Sequence, residues 1–244
     1  MYELKRRVLL ALPPVLGVDF SITNETLLLW LAALITFVVL RLACRRRNVV
    51  PQGAFENVIE TVIEFIEREI VRENIGPAGR SWSSFILTLF FFILFCNLMG
   101  LIPLPSHVKA VTSNLSVTTG LAAIVFLVAI AINIKLHGVL GFLRKFWTPG
   151  IPWWVAAPMV PLELISWLVR PITLAIRLFV NMMVGHHLLF LFIGFEMVSA
   201  WYLKTIPFLG AVLMTGFELF VCFIQAFVFT ILAAVYIRDA MEAH

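Results

Sequence analysis

The sequence predicts an all-α integral membrane protein with five membrane helices and one amphipathic interfacial helix. Three observations support this fold class. The 244 residues are 61% hydrophobic and only 13% charged, and the mean hydropathy is +1.01, well above what a water-soluble core requires. Several apolar segments reach the length of a bilayer-spanning helix. The last two are longer than one upright span, which predicts a pair of long, tilted, antiparallel helices. The chain is therefore expected to form a single membrane domain over 1–244.

The charge pattern argues against a nucleic-acid partner. The net charge is +4, but most basic residues flank apolar segments, where they set membrane topology. The three cysteines, Cys44, Cys96 and Cys222, are far apart in sequence and predict neither a disulfide framework nor a metal site.

The first span is predicted over about Thr26–Ala43 and is followed by the arginines at 45–47. Positive residues favour the cytoplasmic side, so the amino terminus is expected outside, although the basic residues at 5–7 favour the opposite orientation. Residues 1–20 superficially resemble a signal peptide. Two prolines interrupt their apolar run and no convincing cleavage site follows, so an external, retained interfacial segment is predicted, with cleavage as the alternative.

Residues 54–72 are predicted to form an amphipathic cytoplasmic helix that lies on the membrane surface or against a partner. One side carries apolar residues and another carries glutamates. The apolar side comprises Phe55, Val58, Ile59, Val62, Ile63, Ile66 and Ile70, and the acidic side comprises Glu56, Glu60, Glu64 and Glu67.

Two further spans are predicted over 84–103 and 115–134, separated by an external loop that contains Lys109. The third span is followed by Arg144 and Lys145, which again indicates a cytoplasmic end. Both assignments agree with the orientation of the first span.

The last two apolar segments, 151–203 and 206–238, are predicted to form a long helical hairpin. The run 206–237 alone has 32 residues, or about 48 Å of helix against a hydrocarbon thickness of about 30 Å. Such a helix must tilt or bend. Pro161 and Pro171 permit kinks in the first of the pair. Five spans place the carboxyl terminus in the cytoplasm.

A polar stripe is predicted on the first helix of this hairpin. At 100° per residue, six polar side chains fall within about 40° of one line. These are Glu163, Ser166, Arg170, Thr173, Arg177 and Asn181. Arg177 lies near the middle of the apolar segment, and a guanidinium keeps its proton at any accessible pH. The stripe must therefore face something polar or charged rather than lipid.

The second helix of the hairpin carries its own polar residues, Glu218 and Gln225, seven positions apart and so on nearly one face. A carboxylate in such an apolar context is less costly to bury protonated than charged, which makes Glu218 a candidate proton relay. His186, about 180° from Arg177 on the preceding helix, also suits proton exchange. Each of these residues also has a purely structural interpretation. In it, Arg177 forms a structural ion pair with a nearby glutamate, His186 is packed in its neutral form, and Gln225 joins two helices.

The run Arg177-Leu-Phe-Val-Asn181-Met-Met-Val-Gly-His186 resembles the signature of subunit a of F-type ATP synthases. Three other stretches agree with that family. Asn97-Leu-Met-Gly-Leu-Ile-Pro103 is similar to the end of its second span, Thr112-Ser-Asn114-Leu-Ser116 to its external loop, and Glu218 followed by Gln225-Ala-Phe227 to its final helix. The resemblance extends over about 19–239. Val180 departs from the family, in which a small residue is common at that position.

The resemblance implies a role for each polar residue. Arg177 matches the stator arginine, Gln225 its neighbour, and His186 with Glu218 the polar pair of a half-channel. Four further residues match positions along the same route: Glu163, Arg170, Thr173 and Asn181. The implied function is a proton-translocating stator with two aqueous half-channels separated by the arginine.

The same resemblance implies the partners. These are a rotating c-ring of small proteolipid subunits, peripheral-stalk b-type subunits, the rest of the ATP synthase and the lipid bilayer. The membrane is expected to be a bacterial plasma (inner) membrane rather than a mitochondrial one. Nothing in the sequence resembles a phosphate-binding loop, so no cofactor is expected and ATP chemistry is assigned to partner subunits. The alternative is a secondary ion transporter with a charged site at the midplane, although the sequence has no internal repeat and five spans are few.

Overall fold

The computed structural model describes residues 8–10, 22–44, 53–101, 112, 114–144, 153–198 and 205–241. Six α-helices account for most of these residues. They are α1 (Asn24–Cys44), α2 (Ala54–Ile66), α3 (Ser83–Leu101), α4 (Leu115–Arg144), α5 (Trp153–Val198) and α6 (Thr205–Met241). A π-helix (Glu67–Ile75) and a 3-10 helix (Pro77–Ser81) connect α2 to α3.

The five predicted spans are confirmed by length and composition. In the described ranges α1, α3, α4, α5 and α6 are the helices long and apolar enough to cross a membrane. A short antiparallel ribbon that the sequence did not predict pairs β1 (Val8–Leu10) with β2 (Ile22–Thr23) just before α1. The remainder of segment 1–20 and the charged residues at 45–47, 109 and 145 lie outside the described residues.

The amphipathic helix differs from its prediction at the carboxyl end. It begins at Ala54 as expected, but after Ile66 it continues as the π-helix to Ile75. The π-helical repeat connects residues five positions apart, so that Ile70 and Ile75 both become buried. The segment packs against α6 of its own chain. Val58, on the predicted apolar side, is 61% exposed in the isolated chain.

The third span is also longer than predicted, because α4 continues past 134 to Arg144. Gly138 interrupts it with φ 70° and ψ 174°. This positive φ costs a glycine little and other residues much more. The glycine therefore allows the chain to kink just beyond Lys135, where the apolar part of the helix ends.

The long hairpin is confirmed as antiparallel by contacts along its length. Tyr236 Oη donates to the Trp167 carbonyl at 3.0 Å, whereas near the other end Gly210 lies against the ring of Phe192. An added Cβ on Gly210 would be 2.6 Å from Phe192 Cε1, so the glycine permits this close approach. The helices contain 46 and 37 residues, about 69 and 56 Å, and must tilt or bend in a bilayer of about 30 Å.

The core lies where α3 and α4 pack against the second half of α6. Phe90 and Phe229 are fully buried there. Small residues on α6, including Ala226, Ala233 and Ala234, are also fully buried and allow neighbouring helices to approach closely. By contrast, most of α5 and the first half of α6 are exposed. This leaves a large apolar face that the described part of the chain does not cover.

Candidate functional site

The polar stripe of α5 lies on this uncovered face. Five of its six members have exposed side chains: Glu163, Ser166, Arg170, Thr173 and Arg177. Their apolar neighbours are exposed too, including Ile172 at 50% and Ile176 at 47%. Because a charge on a lipid-facing surface is costly, the stripe requires a polar or charged partner within the membrane.

One turn after Arg177 the stripe turns into the interface between α5 and α6. The sixth member, Asn181, is half-buried, and its Nδ2 donates to Gln225 Oε1 at 3.1 Å. Gln225 is only 3% exposed. The structure therefore brings together two residues that the sequence placed on different helices. A hydrogen bond between two side-chain amides of this kind fixes the rotation of one helix against the other.

Glu218 lies one layer further along the same interface, against Gly185. An ideal Cβ on Gly185 would be 2.5 Å from Glu218 Oε1. A cavity of about 20 Å³ lies beside the carboxylate, enough for one water molecule. It is lined by Leu101, Asn181, Met182, Gly185, Glu218 and Val221. The cavity thus lies between Glu218 and Asn181, whose side-chain amide bonds Gln225.

His186 belongs to α5 and directly follows Gly185, but its side chain lies outside the described residues. Its predicted partnership with Glu218 therefore stays a prediction. What the structure does place is Glu218 against the α5 backbone beside His186.

Arg170 has a partner that the sequence did not reveal. Its Nη1 lies 3.9 Å from Asp239 Oδ2 near the carboxyl end of α6. The Thr173 hydroxyl donates to the Arg170 carbonyl at 2.8 Å. The side chain of Arg170 is still 52% exposed, so this ion pair is solvent-accessible in the isolated chain and contributes little stability by itself.

Asn97 is a second polar residue whose role the sequence did not show. It is completely buried on α3, and its Nδ2 lies 3.4 Å from the Cys222 carbonyl on α6. Cys222 lies between Glu218 and Gln225 along α6. Asn97 therefore holds the part of α6 between Glu218 and Gln225 in place. The sequence signalled this residue in two ways, as an amide in the apolar run of α3 and as the first residue of the motif Asn97–Pro103.

Gly185 supplies a prediction. Replacing it with alanine should displace the Glu218 carboxylate, because the added Cβ would lie 2.5 Å from Glu218 Oε1 and 2.9 Å from its Cδ. We expect proton conduction through the assembled complex to fall by at least about tenfold. Gly216→Ala is the matched control, since nothing lies within 4 Å of an added Cβ there. Equal conduction in the two variants would contradict this packing.

Comparison with known proteins decides the family. The model of the family described as ATP synthase A chain matches residues 26–238. The chain belongs to this family. Two relatives, each called ATP synthase subunit a, agree with the assignment. One, from Magnetococcus marinus, is 41% identical over 232 residues, covering 93% of this chain and 87% of the relative. The other, from Paramagnetospirillum magneticum, is 38% identical over 231 residues, covering 93% and 92% respectively.

Family membership confirms the resemblance stated from the sequence motifs. It makes the chain a membrane subunit of the ATP synthase complex, not its catalytic subunit, with a role in ion transport and ATP synthesis. The bacterial relatives fit a location in the inner membrane. The site residues therefore belong to a subunit with a role in ion transport across a bilayer.

Proposed function

We propose that this chain is the proton-translocating stator of an F-type ATP synthase, in which Arg177 separates two aqueous half-channels that open toward opposite sides of the membrane. The partner on its uncovered face is a rotating c-ring whose small subunits each carry one carboxylate.

The exposure of Arg177 is the observation that carries this proposal. The guanidinium lies on an outward face of a membrane helix, surrounded by exposed aliphatic side chains. Lipid cannot satisfy this cation, whereas a carboxylate on a passing subunit can. An inward-facing structural arginine would require no such partner.

The positive charge of Arg177 determines where the ring carboxylate loses its proton. A carboxylate that approaches Arg177 is favoured in its ionised form and releases its proton to one half-channel. After it has passed the arginine, it is reprotonated from the other. Arg177 cannot give up its own proton, so ions do not cross without rotation. Each charge that crosses the membrane is driven by about 2.3 kcal/mol per 100 mV.

The polar contacts between α5 and α6 form part of one half-channel. Glu218, with His186, holds and passes the proton, and the small cavity beside Glu218 has room for the water molecule through which it moves. Asn181 and Gln225 continue the route toward Arg177. Glu163, Arg170 and Thr173 extend the polar surface along α5 in the other direction.

Peripheral-stalk b-type subunits hold the chain against rotation. The amino terminus lies outside and the carboxyl terminus in the cytoplasm of a bacterial inner membrane. The positive residues that follow α1 and α4 in the sequence support this orientation.

Disulfide crosslinking tests which face meets the ring. In a Cys44→Ser background, Thr173→Cys is expected to crosslink efficiently to a cysteine placed beside the ring carboxylate, because Thr173 is exposed on the polar stripe. The chain's other two cysteines, Cys96 and Cys222, are buried. Ile124→Cys on α4, where Ile124 is 52% exposed, is the matched control and should not crosslink.

Two results would contradict the proposal. One is equal crosslinking from Thr173→Cys and Ile124→Cys. The other is purification of the tagged chain without small proteolipid subunits, which would support the secondary transporter instead.

A further inference from the structure

A second cavity lies at the junction between the π-helix and α3, and no described residue of α5 or α6 lines it. Its volume is about 550 Å³, within the range of about 300–1,000 Å³ typical of small-molecule sites. It is lined by Glu67, Val71, Arg72, Gly76, Pro77, Arg80 and Ser83. The mechanism proposed above uses none of these residues.

The backbone around this cavity has an uncommon form. The π-helix is nine residues long, although such helices usually occur as single turns and often mark functional sites. It ends where the Gly76 N–H donates to the Val71 carbonyl at 3.2 Å. Gly76 then reverses the chain with φ 75° and ψ −157°. This reversal turns the 3-10 helix back toward the π-helix, and the half-open cavity lies between them.

The 3-10 helix forms the wall opposite the π-helix and is held there by close packing. Gly79 in the 3-10 helix is buried against the π-helix, and an added Cβ would be 2.8 Å from Ile75 Cβ and 2.9 Å from Val71 Cγ1. The Ser83 hydroxyl donates to Glu67 Oε1 at 2.7 Å, which ties the start of α3 to the π-helix. The helices on both sides of the cavity are therefore held in place by packing and hydrogen bonding.

Its charge is positive. Arg72 and Arg80 both line the cavity, and among the described residues neither guanidinium has a carboxylate within ion-pair distance. Glu67 is the one carboxylate among the described lining residues, and it already accepts a hydrogen bond from Ser83. Arg68, by contrast, lies outside the cavity lining and pairs with Glu69 at 3.8 Å.

We propose that this cavity binds a phosphate group, supplied by the headgroup of an anionic phospholipid. Arginine forks bind phosphate oxygens through paired, charge-assisted hydrogen bonds, and the two guanidiniums at this cavity supply the charge. Ser83 is the first residue of the α3 span, which places the cavity at the depth of the headgroups in that leaflet. The preceding residue, Trp82, is of a type enriched at that depth.

The depth also favours a lipid over dissolved phosphate as the source. The acyl chains of a lipid held here can remain in the bilayer beside α3, so binding does not require the ligand to leave the membrane. Phosphate binding at this place would hold the interfacial helix on the membrane surface. The inference is independent of the route that protons take between α5 and α6.

The test uses the complete ATP synthase complex, purified in detergent and depleted of lipid. Binding of a fluorescent short-chain phosphatidylglycerol is measured for the parent and for Arg72→Gln and Arg80→Gln. Each substitution is expected to weaken binding by about tenfold, the usual consequence of losing one charged hydrogen bond. Arg68→Gln is the matched control, because it removes an arginine from the same π-helix but not from the cavity, and should bind like the parent.

Inorganic phosphate, titrated as a competitor, distinguishes the source. Weak competition supports the lipid headgroup. If inorganic phosphate binds as tightly as the lipid probe and shows the same dependence on Arg72 and Arg80, the phosphate site stands but its ligand is the free ion, and the lipid assignment is overturned. Lipid binding that is equal in the parent and both cavity variants overturns the site itself. Loss of partner subunits from these variants, with lipid binding unchanged, also overturns it and identifies the cavity as a protein contact.

Discussion

Replacing Arg177 with alanine is expected to abolish ATP synthesis and ATP-driven proton pumping while leaving the complex assembled. The side chain is exposed on α5, so its loss creates no cavity in the core and should not prevent folding. What is lost is the fixed cation that separates the half-channels. Removal of a preorganised charge typically costs about 10²–10³ in rate. Synthesis and pumping are measured in inverted vesicles, alongside the subunit composition of the purified complex.

Two further variants sharpen this expectation. Arg177→Lys should also be strongly impaired, because lysine lacks the planar fork and gives up its proton more readily in an apolar environment. Ile176→Ala, a truncation at an exposed neighbour, should retain most of the activity. Normal synthesis by a well-assembled Arg177→Ala complex would refute the role assigned to the arginine.

Replacing Glu218 with glutamine is expected to slow passive proton conduction by at least about 10²-fold, the lower end of what a positioned acid or base usually contributes. Glutamine has nearly the same shape, so the packing against Gly185 should persist. ATP hydrolysis by the detached catalytic head should not change. Conduction is measured in vesicles stripped of that head. Thr215→Ala is the matched control, since Thr215 is an exposed α6 residue whose hydroxyl bonds its own helix.

An exchange of residues tests the relay as a pair. The double variant Glu218→His with His186→Glu keeps one acid and one base in the site. We expect it to recover more proton conduction than either single substitution. If Glu218→Gln conducts like the parent, the carboxylate is structural and the relay hypothesis fails.

In the hairpin of α5 and α6, helical periodicity predicted which residues share a face but not which residues meet between the two helices. The polar stripe through Arg177 was predicted from helical spacing, because the angular position of a residue on a helix is a local property. The same spacing predicted that Glu218 and Gln225 share a face. It contained no information on which residues of α5 oppose them. The contacts of Gln225 with Asn181 and of Glu218 with Gly185 depend on the rotation and register of two helices, which packing along their whole length determines.

Gly185 and Asp239 illustrate what a sequence can and cannot signal. A glycine within a long helix is unfavourable by about 1 kcal/mol relative to alanine, so Gly185 carried a detectable hint of a close contact. Asp239 carried none, since its ion pair with Arg170 joins residues 69 positions apart in the sequence. The cavity at Arg72 and Arg80 was similarly hidden, because the π-helix that shapes it leaves the ordinary helical repeat.

By itself, the sequence determined the five membrane helices, the interfacial helix, the polar stripe and the family motifs, because hydrophobicity, helical period and motif spacing are all properties of short segments. Only the tertiary structure decided which face of α5 remains uncovered, which polar residues meet across α5 and α6, and where the arginine-lined cavity forms. These features arise from contacts between distant segments. Such contacts depend on the relative rotation, register and local irregularity of packed helices, which no single segment specifies.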